Sequence, residues 1–202
     1  MITIKKDIDL MDEIKDYDTI FIGTNVYCCL SQGIQRDVTL YYPYCREANL
    51  TQRYGDVARL GTLLETSAEG EPTIVLLYIY RGFPYRKSMD EDYLDYDALE
   101  KCLIKANEAY KGKTVATTLL GCSRFDGNGN RDRVLEIMER TMTDVNLIVY
   151  DYYQKSKDEK HMEMMIKEWE VKKVDRKKYY EMKKMRKRAG KELRKKNGFA
   201  MY

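Results

Sequence analysis

Gly23-Thr24-Asn25 ends a strand-like run at Ile20 to Ile22, and the chain then loops to Gly33-Ile34 and on to Pro43. A second run, Val115 to Leu120, ends in Gly121-Cys122-Ser123-Arg124-Phe125-Asp126-Gly127-Asn128-Gly129. Small residues let backbone N–H groups approach a ligand closely, and a loop that closes a strand and opens a helix adds the positive end of the helix dipole. Donors arranged in this way bind anions. Two such loops in one chain predict a ligand that carries phosphate.

Other reactive residue types are sparse. Asp126 precedes a glycine, so it is either the turn residue of an Asp-Gly pair or an acid/base group. His161, the only histidine, lies in a strongly charged stretch, which leaves a histidine-based nucleophilic site without support. Cys28 and Cys29 flank the first loop, but a reactive thiolate needs a cationic neighbour and the sequence shows none beside them. Buried structural thiols are the expectation. The five cysteines (Cys28, Cys29, Cys45, Cys102, Cys122) are odd in number and have no paired ligand spacing. Neither a disulfide framework nor a metal site is expected, and a reducing cytoplasm fits.

The elements that must position these loops alternate. Ile2-Thr3-Ile4, Thr19 to Ile22, Ile74 to Tyr80, Thr114 to Leu120 and Asn146 to Tyr153 read as strands. Their unbroken apolar runs suit a sheet covered on both faces. Tyr96, Leu99, Leu103, Ala106 and Tyr110 recur at steps of three and four, which predicts a helix over about Asp92 to Tyr110. Val134, Leu135, Ile137, Met138 and Met142 mark another, and a third should follow Gly33 and stop near Pro43. Strand and helix alternation argues for an α/β layered fold.

With 202 residues, 44% of them hydrophobic, the chain can bury one full core with an appendage. No uncharged run approaches the length of a membrane span, and no leader pattern opens the chain, so a soluble, cytoplasmic protein without a membrane partner is expected. Charge divides it. Met1 to Gln154 holds 18 Lys+Arg against 25 Asp+Glu, and Lys155 to Tyr202 holds 18 against 8. Two parts follow, a body over 1–154 and a basic tail over 155–202. Ser156-Lys157-Asp158-Glu159 reads as a capping box that opens a long helix. The clusters between 172 and 196, with Tyr179 and Tyr180 among them, suit either a nucleic-acid contact or a solvated helix surface.

The first loop's spacing resembles the macrodomain family: Asn25 stands eight residues before Gly33-Ile34, and Pro43 follows nine residues after that. Asp18, Lys6-Asp7-Ile8, the loop Gly121-Cys122-Ser123-Arg124-Phe125 and the closing run Asn146-Leu147-Ile148-Val149-Tyr150 are similar to the family's further landmarks, in order, over about residues 1–153. The resemblance implies a three-layer α/β/α sandwich with a mixed sheet, followed by the basic C-terminal helix. It implies binding of ADP-ribose or an ADP-ribosylated macromolecule, with no cofactor. Asp7 would accept from the adenine amino group, Ile8 would present its backbone nearby, and Asn25 would bond the distal ribose. Ser31, Gly33 and Ile34, with Gly121, Cys122, Ser123, Arg124 and Phe125, would cradle the phosphates. Hydrolysis of a 1''-phosphate or an ADP-ribosyl linkage would then engage Asn25 and Asp126 as catalytic residues.

Each role has a plain counterpart. Asn25 suits a loop cap as well as a ribose ligand, Asp7 a solvated strand end or a helix N-cap, and Phe125 ordinary core. The chain also departs from the family pattern. Cys28-Cys29-Leu30-Ser31-Gln32-Gly33 holds one glycine where the family has two or three, and Tyr80-Arg81 stands where one hydrolase branch has a lysine. Arginine stays protonated and is no nucleophile. The alternative function is a non-catalytic structural or nucleic-acid-interacting protein whose tail is the working part.

Overall fold

The computed structural model describes residues 1–82, 93–123 and 127–152. These all fall in one compact unit, Met1–Tyr153. The expected tail helix, the domain 155–202 and its basic stretch 172–196 lie outside the described residues, as do Arg124, Phe125 and Asp126.

Six strands form one mixed sheet: β1 (Ile2–Lys6), β2 (Thr19–Asn25), β3 (Leu63–Thr66), β4 (Thr73–Tyr80), β5 (Thr114–Thr118) and β6 (Asn146–Asp151), in the order β1-β6-β5-β2-β4-β3. All neighbours run parallel except β3, which pairs antiparallel with β4 at one edge. The carboxyl ends of β1, β6, β5, β2 and β4 therefore share one edge of the sheet.

The central strands are buried on both faces, as their unbroken apolar runs require. Ile20, Ile22, Ile74 and Leu76 join a core with Leu10, Ile14, Val38 and Cys45, residues of the helical segments between β1 and β2 and between β2 and β3. Phe21, Val75, Leu77 and Ile79 join the opposite core with Leu99, Leu103, Val134 and Met138. Alternate residues of one strand thus feed two cores, which makes the molecule a three-layer α/β/α sandwich. Helices α1 (Leu10–Glu13), α2 (Gly33–Tyr41) and α3 (Pro43–Leu50) cover the first face, and α4 (Tyr96–Ala109) and α5 (Arg131–Thr141) the second.

Most elements agree with the sequence reading. The helix after Gly33 ends at Tyr41, but Pro43 then opens α3 at its first position, where a missing N–H costs nothing. Strand β3 was not expected, and β5 ends at Thr118 rather than Leu120. Among the described residues no helix is long and apolar enough to cross a membrane.

Candidate functional site

The parallel sheet opens at one place. Pairing of β2 with β5 comprises Ile20↔Ala116 and Phe21↔Thr117, and Thr117 Oγ1 donates to Phe21 O at 3.0 Å. Pairing of β2 with β4 continues to Asn25↔Tyr80. Beyond Phe21 the strand stays joined to one neighbour only. From β2 the chain proceeds to one side of the sheet, and from β5 to the other, so this is the topological switch point where open α/β sheets seat their ligands. The two Gly-containing loops leave the sheet on either side of it.

In the first loop, Asn25 is 3% exposed and works on its own chain. Its Oδ1 accepts from Tyr27 N (2.9 Å) and Cys29 N (3.3 Å), and its Nδ2 donates to Cys29 O (2.7 Å). The side chain clamps the turn, and one Nδ2 hydrogen is left for another acceptor. Leu30 is packed into the first-face core and Ser31 is exposed. The loop then enters α2 at exposed Gly33, with Ile34 half-buried.

Among the described residues two α-helix entries, those of α2 and α3, lack a side-chain cap, and that of α3 has Pro43 at its first position. Asp9, Asp95 and Asn130 cap α1, α4 and α5 with their own side chains. Gln32 provides α2 with no side-chain cap, and the first turn carries no acidic residue. The leading N–H groups of a nine-residue helix thus meet the carboxyl edge without a side-chain acceptor, an arrangement that favours an anion.

The second loop binds itself more completely. Cys122 N donates to Leu119 O (3.2 Å), Gly129 N to Gly121 O (2.8 Å), and both Gly127 N and Asn128 N to Ser123 O (3.2 and 3.0 Å). Among the described amides of this loop, those of Cys122, Gly127, Asn128 and Gly129 are thus engaged by carbonyls of the same loop. Gly121, at φ +74, takes a left-handed turn that side chains disfavour.

Between the loops lies Tyr80, which sequence reasoning considered only as the neighbour of Arg81. A Cβ on Gly23 would stand 2.5 Å from the Tyr80 hydroxyl, and one on Gly121 would stand 3.1 Å from its ring. The buried ring, 3% exposed, is wedged between β2 and the second loop and floors the opening. Arg81 points elsewhere: its Nε donates to Asp95 Oδ2 at 2.8 Å. No spacing in the sequence signals this, because Gly23, Tyr80 and Gly121 meet only in the folded sheet.

Farther along the same edge, Asp7 adopts φ 59 and its N–H donates to Asp151 O at 3.2 Å. Asp7 and Ile8 are exposed, and Asp9 rather than Asp7 caps α1. Three strand spacings, about 14 Å, separate β1 from β2, so a ligand that touches Asp7 and the first loop lies along the edge. Arg131 at the start of α5 pairs with Asp151 at the end of β6, between these points. The pair holds the guanidinium above its ordinary pKa through the Asp151 hydrogen bond. Arg131 is half-exposed and was missed, since an arginine at a helix start carries no pattern.

The thiols divide. Burial pushes Cys45 up to about 11 and Cys102 up to about 12, so both are inert. Cys28 and Cys29 are half-buried rather than buried, and Arg59 Nη1 donates to Cys28 Sγ at 3.6 Å. The cationic neighbour invisible in sequence exists, 31 residues away. Among the described residues no group of three His, Cys, Asp or Glu could hold a metal ion.

No protein-family model and no curated protein matches this sequence. Solved structures do. A protein of unknown function from Bacteroides thetaiotaomicron superimposes with a TM-score of 0.59 at 17% identity, over 75% of this chain and 98% of that one. The macrodomain of Mycobacterium tuberculosis DarG gives 0.54 at 18% identity, over 76% and 99%. The chain has the macrodomain fold. Thermosipho africanus DarTG, solved in complex with ADP-ribose, matches at a TM-score of 0.50 and 16% identity, over 66% of this chain and 38% of that one. At these identities the likeness is one of fold. On this fold the opening between β2 and β5, its Tyr80 floor and the uncapped α2 define the candidate site.

Proposed function

We propose that this macrodomain binds ADP-ribose, free or attached to a macromolecule, along the carboxyl edge of its sheet. The observation that carries the reading is the uncapped, acid-free start of α2 beside the parting of β2 from β5. A diphosphate there would accept from the leading N–H groups of α2 at Gly33 and Ile34 and from the second loop at Ser123 to Phe125. Asp7 would accept from the adenine amino group at the β1 end, with Ile8 beside it. Asn25 would act mainly by fixing the first loop, and its remaining N–H would reach a ribose hydroxyl. The complex of DarTG with ADP-ribose on the same fold supports the choice of ligand.

The finer proposal is hydrolysis at the distal ribose, of a 1''-phosphate or an ADP-ribosyl linkage, with Asn25 orienting the sugar and Asp126 handling the proton. Calorimetric titration of the full chain with ADP-ribose tests binding, with AMP as the control that lacks the second phosphate and distal ribose. Micromolar binding of ADP-ribose that AMP does not match supports the reading, and equal affinity for the two removes it. Turnover of ADP-ribose 1''-phosphate that survives Asp126→Ala would remove Asp126 from the chemistry. The charge excess of the tail, 18 basic against 8 acidic residues, favours a second contact, with nucleic acid through 172–196.

A further inference from the structure

Beneath the first loop, on the face covered by α3, three side chains around Tyr78 carry polar atoms without a protein partner. Thr24 and Asn49 are fully buried, at 0% exposure, and neither Thr24 Oγ1 nor Asn49 Nδ2 finds a hydrogen-bond partner. Arg59 Nη2, equally shut from solvent, finds none either. Each is linked to Tyr78. Thr24 is the register partner of Tyr78 across β2 and β4. The Tyr78 hydroxyl donates to Asn49 Oδ1 at 2.6 Å, and the Arg59 guanidinium lies 3.6 Å over the ring centroid.

Buried polar atoms are seldom left unpaired, because the desolvation cost is then met by nothing. The chemistry of this set leans towards donors. The amide N–H and the guanidinium N–H only donate, the Thr24 hydroxyl can donate as well as accept, and the positive charge of Arg59 has no carboxylate partner among the described residues. Its contacts are Cys28 Sγ and the Tyr78 ring. Such a set calls for an acceptor that carries negative charge.

We propose that Arg59 Nη2, Asn49 Nδ2 and Thr24 Oγ1 form a second ligand site, which takes one small oxyanion, a phosphate or a carboxylate group. The proposal does not rest on the ADP-ribose reading. Its rim is the seam between the first loop and the connection from α3 to β3, where Cys28, Gln52 and Arg59 are all half-buried. Gly55 N donates to Val26 O at 2.9 Å, Cys28 Sγ to Gln52 O at 3.6 Å, and Tyr27 meets Tyr54 edge-on at 5.4 Å across that seam. An anion on Arg59 would therefore fasten the first loop to this connection through Cys28.

The test uses the full chain and inorganic phosphate, with acetate as the carboxylate arm. Thermal unfolding is followed against anion concentration in wild type, Thr24→Val, Arg59→Gln and Gln32→Asp, the last placing a carboxylate at the α2 entry. A stabilisation by phosphate or acetate that persists in Gln32→Asp and needs at least about tenfold more anion in Thr24→Val and Arg59→Gln supports the site. Whichever anion acts identifies the source. Thr24→Val nearly preserves shape, so it remains informative should Arg59→Gln fail to fold. Crystals soaked in selenate, a phosphate mimic located by its anomalous signal, give the position. A peak among the three atoms supports the proposal. A peak only at the α2 entry, a bridging water with no anion, or an anion response unchanged in Thr24→Val overturns it.

Discussion

Gly23 and Asn25 are separated by one residue on β2, and the structure assigns them different work. A methyl group on Gly23 would collide with the Tyr80 hydroxyl at 2.5 Å and Ile79 Cδ1 at 2.7 Å, both in the packed second-face core. Gly23→Ala is expected to cost about 1–3 kcal/mol of stability, the usual range for overpacking, and to weaken ADP-ribose binding by shifting the Tyr80 floor. Urea unfolding and calorimetry check the two effects, and a variant as stable as wild type would show that the ring has room to move. Asn25→Asp keeps the acceptor for Tyr27 N and Cys29 N but turns a carboxylate oxygen towards Cys29 O, where Nδ2 now donates. A loss of about 1–3 kcal/mol in unfolding free energy is expected. A merely ligand-contacting Asn25 would leave the stability of the unliganded protein unchanged. The sequence made Asn25 visible as a loop residue but left its two readings open. What decides its contacts is the path of Tyr27 to Cys29, a backbone property that residue spacing does not encode. Tyr80 was illegible for a related reason: its partners Gly23 and Gly121 are far apart in the chain and meet only once the strands are ordered.

The helices carry the next set of consequences. If the bare entry of α2 is an anion site, an acidic N-cap should trade function for stability. Gln32→Asp is expected to stabilise the protein by about 1 kcal/mol through capping and the helix dipole, while it lowers ADP-ribose affinity by occupying the same N–H groups. Both changes upward, in stability and in affinity, would remove α2 from the phosphate site. Helix α4 shows the opposite arrangement. Burial alone would raise the Asp95 carboxyl, but hydrogen bonds from Arg81 Nε and Ala98 N outweigh it and hold the group below its usual value. Arg81 is 69% exposed, so solvent screens the ion pair and the cap to Ala98 N is the firmer part. With the folded value depressed, the unfolded chain takes up the proton first as the pH falls. The stabilisation is complete above about pH 4, the ordinary carboxylate range, and declines as pH drops through the folded value. Asp95→Asn is expected to be less stable at neutral pH and to show a shallower acid decline, read from urea midpoints across pH. An acid limb as steep as wild type would assign the decline to other carboxylates. Elements were legible where their pattern was long. Helix α4 could be read from its heptad-like apolar residues, whereas β3 is four residues on an edge, half-buried, with no alternation to find. Helix α3 was hidden because a proline read as a stop also serves as a first helical residue.

For the whole molecule, charge is the property that the fold does not explain. The α/β/α layering, the strand order and the carboxyl-edge opening belong to residues 1–152, whose stretch of the chain is acidic, while the excess of positive charge lies in 155–202. An acidic body disfavours polyphosphate, so electrostatic affinity for nucleic acid is expected from the tail. Such affinity falls steeply with salt, by about 0.9 log units per log unit of salt for each phosphate neutralised on a duplex. The full chain is expected to bind DNA or RNA at low salt with a slope of several units, and a chain ending at Gln154 to lose that binding while its ADP-ribose affinity stays the same. Fluorescence anisotropy over a salt series, run on both chains, separates the outcomes. Binding retained by the shortened chain would move the contact to the body, where Arg131 stands on the carboxyl edge. ADP-ribose affinity lost with the tail would mean that the carboxyl edge alone does not complete the site, and the tail would then join the ligand rather than a separate partner.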